Sequence, residues 1–302
     1  MSKTDVTIVG VGNIGTAMAG AWLDSGLTVT MWNRSPDRPK LMNLVKRGAK
    51  FELDLRNAVM RSDVVVICVS TYANIKEFFS PILPLEQPTC VINITTGTSQ
   101  QARDMETWLK SNGVRRYFDG AIMVTPELVG TEHSAMYLSG ESEAGFSEIQ
   151  GVLKPLGKAH YVAEDSGAAS LWDVAALAAM NGMLTGGIVA LNLLKRQRPD
   201  RGTEKAPSTE APMRQIVLPL LSTFVTHLAD ISRALDEEDW NENFGNSVSM
   251  QLKGLGTIMD TLREEKVSTE GLELFHRLMQ RTLKKKGEGA GLAAMGTYLL
   301  ED

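Results

Sequence analysis

From residue 5 the chain alternates apolar runs with longer amphipathic segments: DVTIVG, a glycine turn VGNIG, then TAMAGAWLDSG, then LTVTMW. Short apolar runs bounded by turn residues predict buried strands, and the longer segment between them predicts a helix. Similar runs at 64–69, 90–94 and 116–121 predict further strands, with helical segments around 75–79 and 99–109 between them. Strand and helix in strict alternation predict an α/β fold with a doubly wound parallel sheet. Runs at 135–138 and 159–163 are expected to complete that sheet.

Strand signals stop at Ser166, and Gly, Ala and Leu dominate through Leu194. At roughly 1.5 Å per residue this segment is a helix about 40 Å long, which suits a connection between domains. Gly182, Gly186 and Gly187 give it a smooth face for close helix packing. The charged, proline-bearing stretch 195–212 predicts an exposed loop. Helical patterns at 213–235, 248–264, 269–282 and 290–300 then predict an all-α second domain. The expected division is a dinucleotide-binding Rossmann domain at 1–164, an interdomain helix at 165–196 and a helical C-terminal domain at 197–302. The stretch 174–194 is about as long as a membrane span and is followed by Lys195, Arg196 and Arg198. It is interrupted by Asn181, Thr185 and Asn192, so no membrane association is expected.

The turn after the first strand carries Gly10, Gly12 and Gly15 in GxGxxG spacing, with Asn13 and Ile14 opening the helix. In that context the first glycine makes the tight turn, the second admits a pyrophosphate and the third lets helix and strand pack closely. Free amides at the helix start attract the anion. The second strand runs into NRSPDR, with no acid at the position that grips an adenine ribose; Asn33, Arg34, Ser35 and Arg38 stand there instead. A carboxylate would repel a 2′-phosphate, whereas guanidinium and hydroxyl groups hold one, so NADPH is the expected cofactor. The same residues also read as a polar turn before a helix capped by Ser35 and Pro36. At the carboxyl ends of the third and fourth long strands, Val69 and Ser70, and Asn93 and Thr95, are expected to border the cofactor.

Charge and composition narrow the field. Lys and Arg number 31 against 36 Asp and Glu, a net charge of −5, which argues against nucleic-acid binding. Cys68 and Cys90 lie in strand-like runs and read as reduced core thiols. His133, His160, His227 and His276 have no metal-binding spacing, so no metal is expected. The first residues lead directly into a strand, and a cytoplasmic location is expected.

Asp173 is the one ionisable side chain between Ser166 and Leu194. A buried carboxylate without a partner is costly, so it either serves catalysis or bonds to nearby backbone. Asn181 follows eight residues later on roughly the same helical face, as a second polar group of a substrate pocket or as an interhelical hydrogen bond.

The order of parts resembles the β-hydroxyacid and phosphogluconate dehydrogenase superfamily. Its carbonyl-reducing members carry a lysine six residues after a glycine of the interdomain helix and an asparagine one turn on. Counting from Gly167 gives Asp173 and then Leu177, so that pair is absent. The runs GVGNIG, WNRS, NITTGT, GAIMVTPELVG, YLSGE, SGAASLWD and SMQL resemble the imine reductases across both domains.

This resemblance implies NADPH-dependent reduction of a C=N bond, with Asp173 on the position where that family places an aspartate or, in another subset, a tyrosine. It also implies a substrate pocket containing Thr96, Met123 and Met250. It further implies a homodimer in which the helical domain of one subunit covers the cleft of the other. The reductive-aminase branch has asparagine where Thr96 stands and tyrosine where Asn181 stands, and its C-terminal GHG appears only as GEGAGL. Reduction of a preformed, cyclic imine is therefore the expectation. The alternatives are a hydroxyacid dehydrogenase-like carbonyl reductase and a non-catalytic NADP-binding protein.

Overall fold

Eight strands form one sheet in the computed structural model, which describes residues 3–85, 89–199, 207–241 and 247–299. The strands are β1 (Val6–Val9), β2 (Val29–Trp32), β3 (Lys50–Phe51), β4 (Val64–Ile67), β5 (Thr89–Asn93), β6 (Val114–Ile122), β7 (Ala135–Ser139) and β8 (Lys158–Tyr161). Their order is β3-β2-β1-β4-β5-β6-β7-β8. Pairing is parallel except between β6 and β7, where it is antiparallel. That departs from a wholly parallel sheet and has a local cause. The connection 123–134 holds only a short 3-10 turn, Pro126–Leu128, and a parallel return needs a crossover, usually helical, of a dozen residues or more. β3 spans two residues, too short to leave a hydropathy signal.

Helices α1 (Asn13–Asp24), α2 (Pro39–Lys46), α3 (Leu55–Val59), α4 (Tyr72–Phe79), α5 (Ser99–Lys110), α6 (Glu143–Glu148) and α7 (Gln150–Leu153) cover the sheet. Successive strand residues feed opposite cores. Val66 joins Met18, Trp22 and Phe118 on one side, while Val65 and Ile67 join Phe79, Met105 and Tyr117 on the other. Burial on both faces explains why these strands read as unbroken apolar runs. α2 begins at Pro39 with Arg38 as its N-cap, so Ser35 does not cap it.

The long helix, α8, spans Gly167–Leu194. The chain divides into two compact units, residues 1–178 and 179–302, and α8 starts in the first and ends in the second. In the second unit a helical run covers Glu210–Asp236, with a π-helical stretch at Met213–Val217. Helices Val248–Glu264 and Glu270–Lys286 follow, packed on Leu255, Met259 and Met279. The expected helix at 290–300 reduces to Ala293–Gly296, and residue 300 lies outside the described residues. The middle of the expected loop, 200–206, also lies outside them.

Many large apolar side chains of the long helices face solvent, among them Leu171, Trp172, Met183 and Ile188 on α8 and Ile216, Leu220, Phe224 and Leu228 on the run 210–236. A Cβ placed on Gly182, Gly186 or Gly187 would meet nothing within 4 Å. Both stretches are long and apolar enough to cross a membrane by length and composition.

Candidate active site

The strand order reverses between β1 and β4, and the ends of these strands carry the glycine turn and the residues after Ile67. In an open α/β sheet this is where ligands bind. Gly10 has φ +98°, and a Cβ there would sit 2.2 Å from the Cys68 carbonyl oxygen. A Cβ on Gly15 would sit 2.1 Å from the Gly10 carbonyl oxygen, so helix and turn touch backbone to backbone. Gly12, by contrast, faces open space. It caps α1 without any side-chain bond, which leaves the first-turn amides of that helix available to an anion. Geometry and donor set together fit a pyrophosphate.

A cavity of about 320 Å³ runs from this turn to the end of β2, lined by Gly10, Gly12, Asn13, Ile14, Asn33, Arg34, Ser35, Arg38, Val69 and Ser70 among others. Arg34 lies with its guanidinium 5.7 Å from the Phe78 ring centroid, and Phe78 also lines the cavity. A guanidinium over an aromatic ring, in a cavity that Ser35 also lines, suits a 2′-phosphate and its purine. Asn33 braces the wall: its Oδ1 accepts from Val11 N–H at 3.0 Å and its Nδ2 donates to the Ser35 carbonyl at 2.8 Å. Asn13 accepts from Lys40 Nζ at 2.8 Å, which brings a further cation beside the anion-binding turn.

A second cavity, about 230 Å³, shares Ile14, Cys68, Val69 and Ser70 with the first, so the two meet. Its remaining walls are Ile94, Thr96, Ala121, Ile122 and Asp173. Asp173 is therefore the one ionisable carboxylate of an otherwise apolar and hydroxyl-lined recess. It is 8% exposed, while its neighbours Leu171, Trp172 and Val174 face solvent. Burial raises its pKa above the ordinary aspartate value, and the polar Thr96 side chain in the same recess opposes that rise.

Asn93 and Thr95, expected to border the cofactor, line neither cavity. Asn93 is fully buried, and Thr95 accepts from Val69 N–H at 3.2 Å. Both hold the loops that border the recess. Met123 lines neither cavity; Ala121 and Ile122, just before it, line the second. Asn181 and Met250 belong to the second unit, where Met250 is exposed.

Sequence reasoning missed Asp119. This fully buried carboxylate accepts at Oδ2 from Tyr72 (2.5 Å), Tyr117 (2.6 Å) and Asn93 (3.0 Å), and at Oδ1 from Ser170 (2.5 Å). Burial raises its pKa, and the four donors oppose that rise. The available signal was an acid in the apolar strand RRYFDGAI with Tyr117 two residues before it, on the same face of a strand. Burial pushes the Cys68 thiol up to about 11 and that of Cys90 to about 12, so neither is a nucleophile. Among the described residues no cluster of His, Cys, Asp or Glu could hold a metal.

Comparison with known proteins agrees with this geometry. Residues 5–164 match the NAD-binding domain of 6-phosphogluconate dehydrogenase, and residues 165–299 match the C-terminal domain of NADPH-dependent reductive aminase-like proteins. The chain is 30% identical over 298 residues to an NADPH-dependent reductive aminase of Aspergillus oryzae, covering 99% of this chain and 97% of that protein. A reductive aminase from Aspergillus terreus, solved with NADPH4, cyclohexanone and allyl amine, superposes with a TM-score of 0.89 at 29% identity, covering 99% of this chain and all of that one. An imine reductase from the same organism, solved with NADPH4 and a dibenzazepine, gives a TM-score of 0.86 at 30% identity over 99% of this chain and 100% of the other. By these matches over both domains, the chain belongs to the imine reductase and reductive aminase family of NADPH-dependent oxidoreductases that act on C=N bonds.

Proposed function

We propose that the chain reduces a small, largely apolar cyclic imine to the amine, with Asp173 as the proton donor. The observation that carries this reading is the buried Asp173 in the recess of Ile94, Thr96, Ala121 and Ile122, at the carboxyl ends of the strands. Gly10, Gly12, Asn13, Ile14 and Gly15 would hold the pyrophosphate of NADPH, with Arg34, Ser35 and Arg38 on its 2′-phosphate. When bound, NADPH supplies the hydride that goes to the C=N carbon.

The sign of the charge in the recess selects the substrate. A carbonyl that accepts hydride develops negative charge on oxygen and passes through no cation, so the ionised form of Asp173 would oppose it. An imine must first become a cationic iminium, and an acid can create and then face that cation. Asp173 gives its proton to the imine nitrogen, the resulting carboxylate holds the iminium in the recess, and after reduction the carboxylate takes a proton from water. An interaction with the iminium is strongest before its charge is discharged, so Asp173 acts on protonation and placement rather than on hydride transfer itself.

Preformed imines fit this site better than free ketone and amine. Thr96 and Asn181 stand where the reductive-aminase branch has asparagine and tyrosine, so the side chains that would assist condensation differ here. The test is a panel of NADPH oxidation assays: cyclic imines turn over and a short-chain β-keto acid does not. Turnover of the keto acid with none for the imines would overturn the reading, and tight NADPH binding without turnover of either would favour a non-catalytic nucleotide-binding protein.

The exposed apolar residues of α8 and of the run 210–236 support a homodimer in which each helical domain covers the other subunit's cleft. Asn181 and Met250 would then belong to the completed substrate pocket. Light scattering is expected to give twice the 32.9 kDa chain mass; a monomer at micromolar concentration would contradict it. Two reduced cysteines suit a cytoplasmic location.

A further inference from the structure

Asp173 stands on α8, and Thr96, which lines the same recess, stands on the loop after β5. Their relative placement depends on what ties that helix to that loop. The start of α8 is held by its backbone: Ser139 Oγ donates to the Ser166 carbonyl at 3.1 Å and accepts from Ala169 N–H at 3.0 Å. Asp165 accepts from Arg103 at 2.8 and 2.7 Å and from Gly167 N–H at 3.1 Å. These contacts fix where the helix begins.

Ser170 lies further along, three residues before Asp173 on the same helical face; both are buried, whereas Leu171 and Trp172 between them are exposed. Its hydroxyl donates to Asp119 Oδ1 at 2.5 Å. The other oxygen of Asp119 accepts from Asn93 Nδ2 at 3.0 Å, and Asn93 Oδ1 accepts from Thr95 N–H at 3.1 Å, next to Thr96. One buried carboxylate thus reaches the helix on one side and the loop on the other. Rotation of α8 about its axis would carry Asp173 away from Thr96, and it would have to break the Ser170 bond.

We propose that Ser170 is a positioning residue: bonded to Asp119, it sets the rotation of α8 and thereby the aim of the Asp173 carboxyl at the substrate nitrogen. The proposal rests on the reading of Asp173 as proton donor. Tyr72 and Tyr117 hold Asp119 from below at 2.5 and 2.6 Å, so the brace has a fixed base.

A double-mutant cycle tests it, because a residue that works through another loses its effect when that other is removed. Ser170→Ala is expected to lower kcat for a cyclic imine about fivefold, through loss of alignment, with the dissociation constant of NADPH unchanged. In the Asp173→Ala background the same change should lower kcat no further. Ser170→Thr, which keeps a hydroxyl, should return kcat to within about twofold of wild type. Asp119 retains three donors in these variants, so the fold is expected to persist, and melting curves check that. An equal loss of kcat in both backgrounds, or a lower melting temperature with kcat intact, would show a purely structural role and overturn the proposal. A Thr variant that folds but is as slow as Ala would overturn it too. If Asp173→Ala alone leaves kcat unchanged, the reading of Asp173 falls and this proposal with it. If Asp173→Ala is slow while Ser170→Ala is not, only the positioning role falls.

Discussion

Asp173→Ala should lower kcat for a cyclic imine by about a hundredfold, the lower end of what a positioned general acid supplies, while NADPH affinity stays within about twofold. The residue lies in the recess but is absent from the lining of the cavity at the ribose end, so its loss should not reach cofactor binding. Burial raises its pKa, so at a given pH more of it carries a proton than an exposed aspartate would. Activity that depends on that proton falls as pH rises through the raised value, and this descending limb should vanish in the alanine variant. An unchanged kcat, or a limb that survives the substitution, would remove Asp173 from the chemistry.

The same shift has a stability consequence. The native state binds the Asp173 proton more tightly than the unfolded chain does, so stability falls as pH rises from the ordinary aspartate value to the raised one. At neutral pH the native protein bears that cost. Asp173→Asn should therefore melt at or above the wild-type temperature at neutral pH while losing activity. A clear drop in melting temperature would mean that the carboxylate stabilises the fold.

Arg34→Ala should weaken NADPH by about ten- to a hundredfold and NADH by less than about threefold. A hydrogen bond between charged groups contributes about 1.5–3 kcal/mol, and only NADPH offers the phosphate. Arg34 also spans the Phe78 ring, so part of the loss belongs to the platform under the purine, which both cofactors share. Isothermal titration with each cofactor checks the ratio; equal weakening of both would contradict a phosphate role for Arg34.

The features legible in the sequence were those whose cause is local. The GxGxxG turn is readable because Gly10 and Gly15 answer to backbone contacts that any larger residue would violate. The long helix is readable because 28 consecutive residues hold no proline and a single charge. What stayed hidden depends on contacts distant in sequence. The reversal of β7 follows from the lack of a helix in 123–134, a feature that apolar runs do not report. Asn93 was legible as a strand-end residue but not as a brace, since its partners Tyr117 and Asp119 are 24 and 26 residues away. Ser170 read as one small residue of an apolar helix; its partner lies 51 residues earlier. Asp173 was visible from the start as a charge out of place, and the resemblance that gave it a role drew on motifs from both domains.

We propose above all a hydride transfer to an imine carbon in a recess whose acid is Asp173. Its most direct test is reduction of a cyclic imine with NADPH deuterated at the reactive nicotinamide carbon, followed by mass spectrometry and NMR of the product. The expected product is an amine with one deuterium on the former imine carbon, with far less of it from Asp173→Ala at equal enzyme concentration. Deuterium found only in a β-hydroxy acid from a β-keto acid, with no labelled amine, would contradict it.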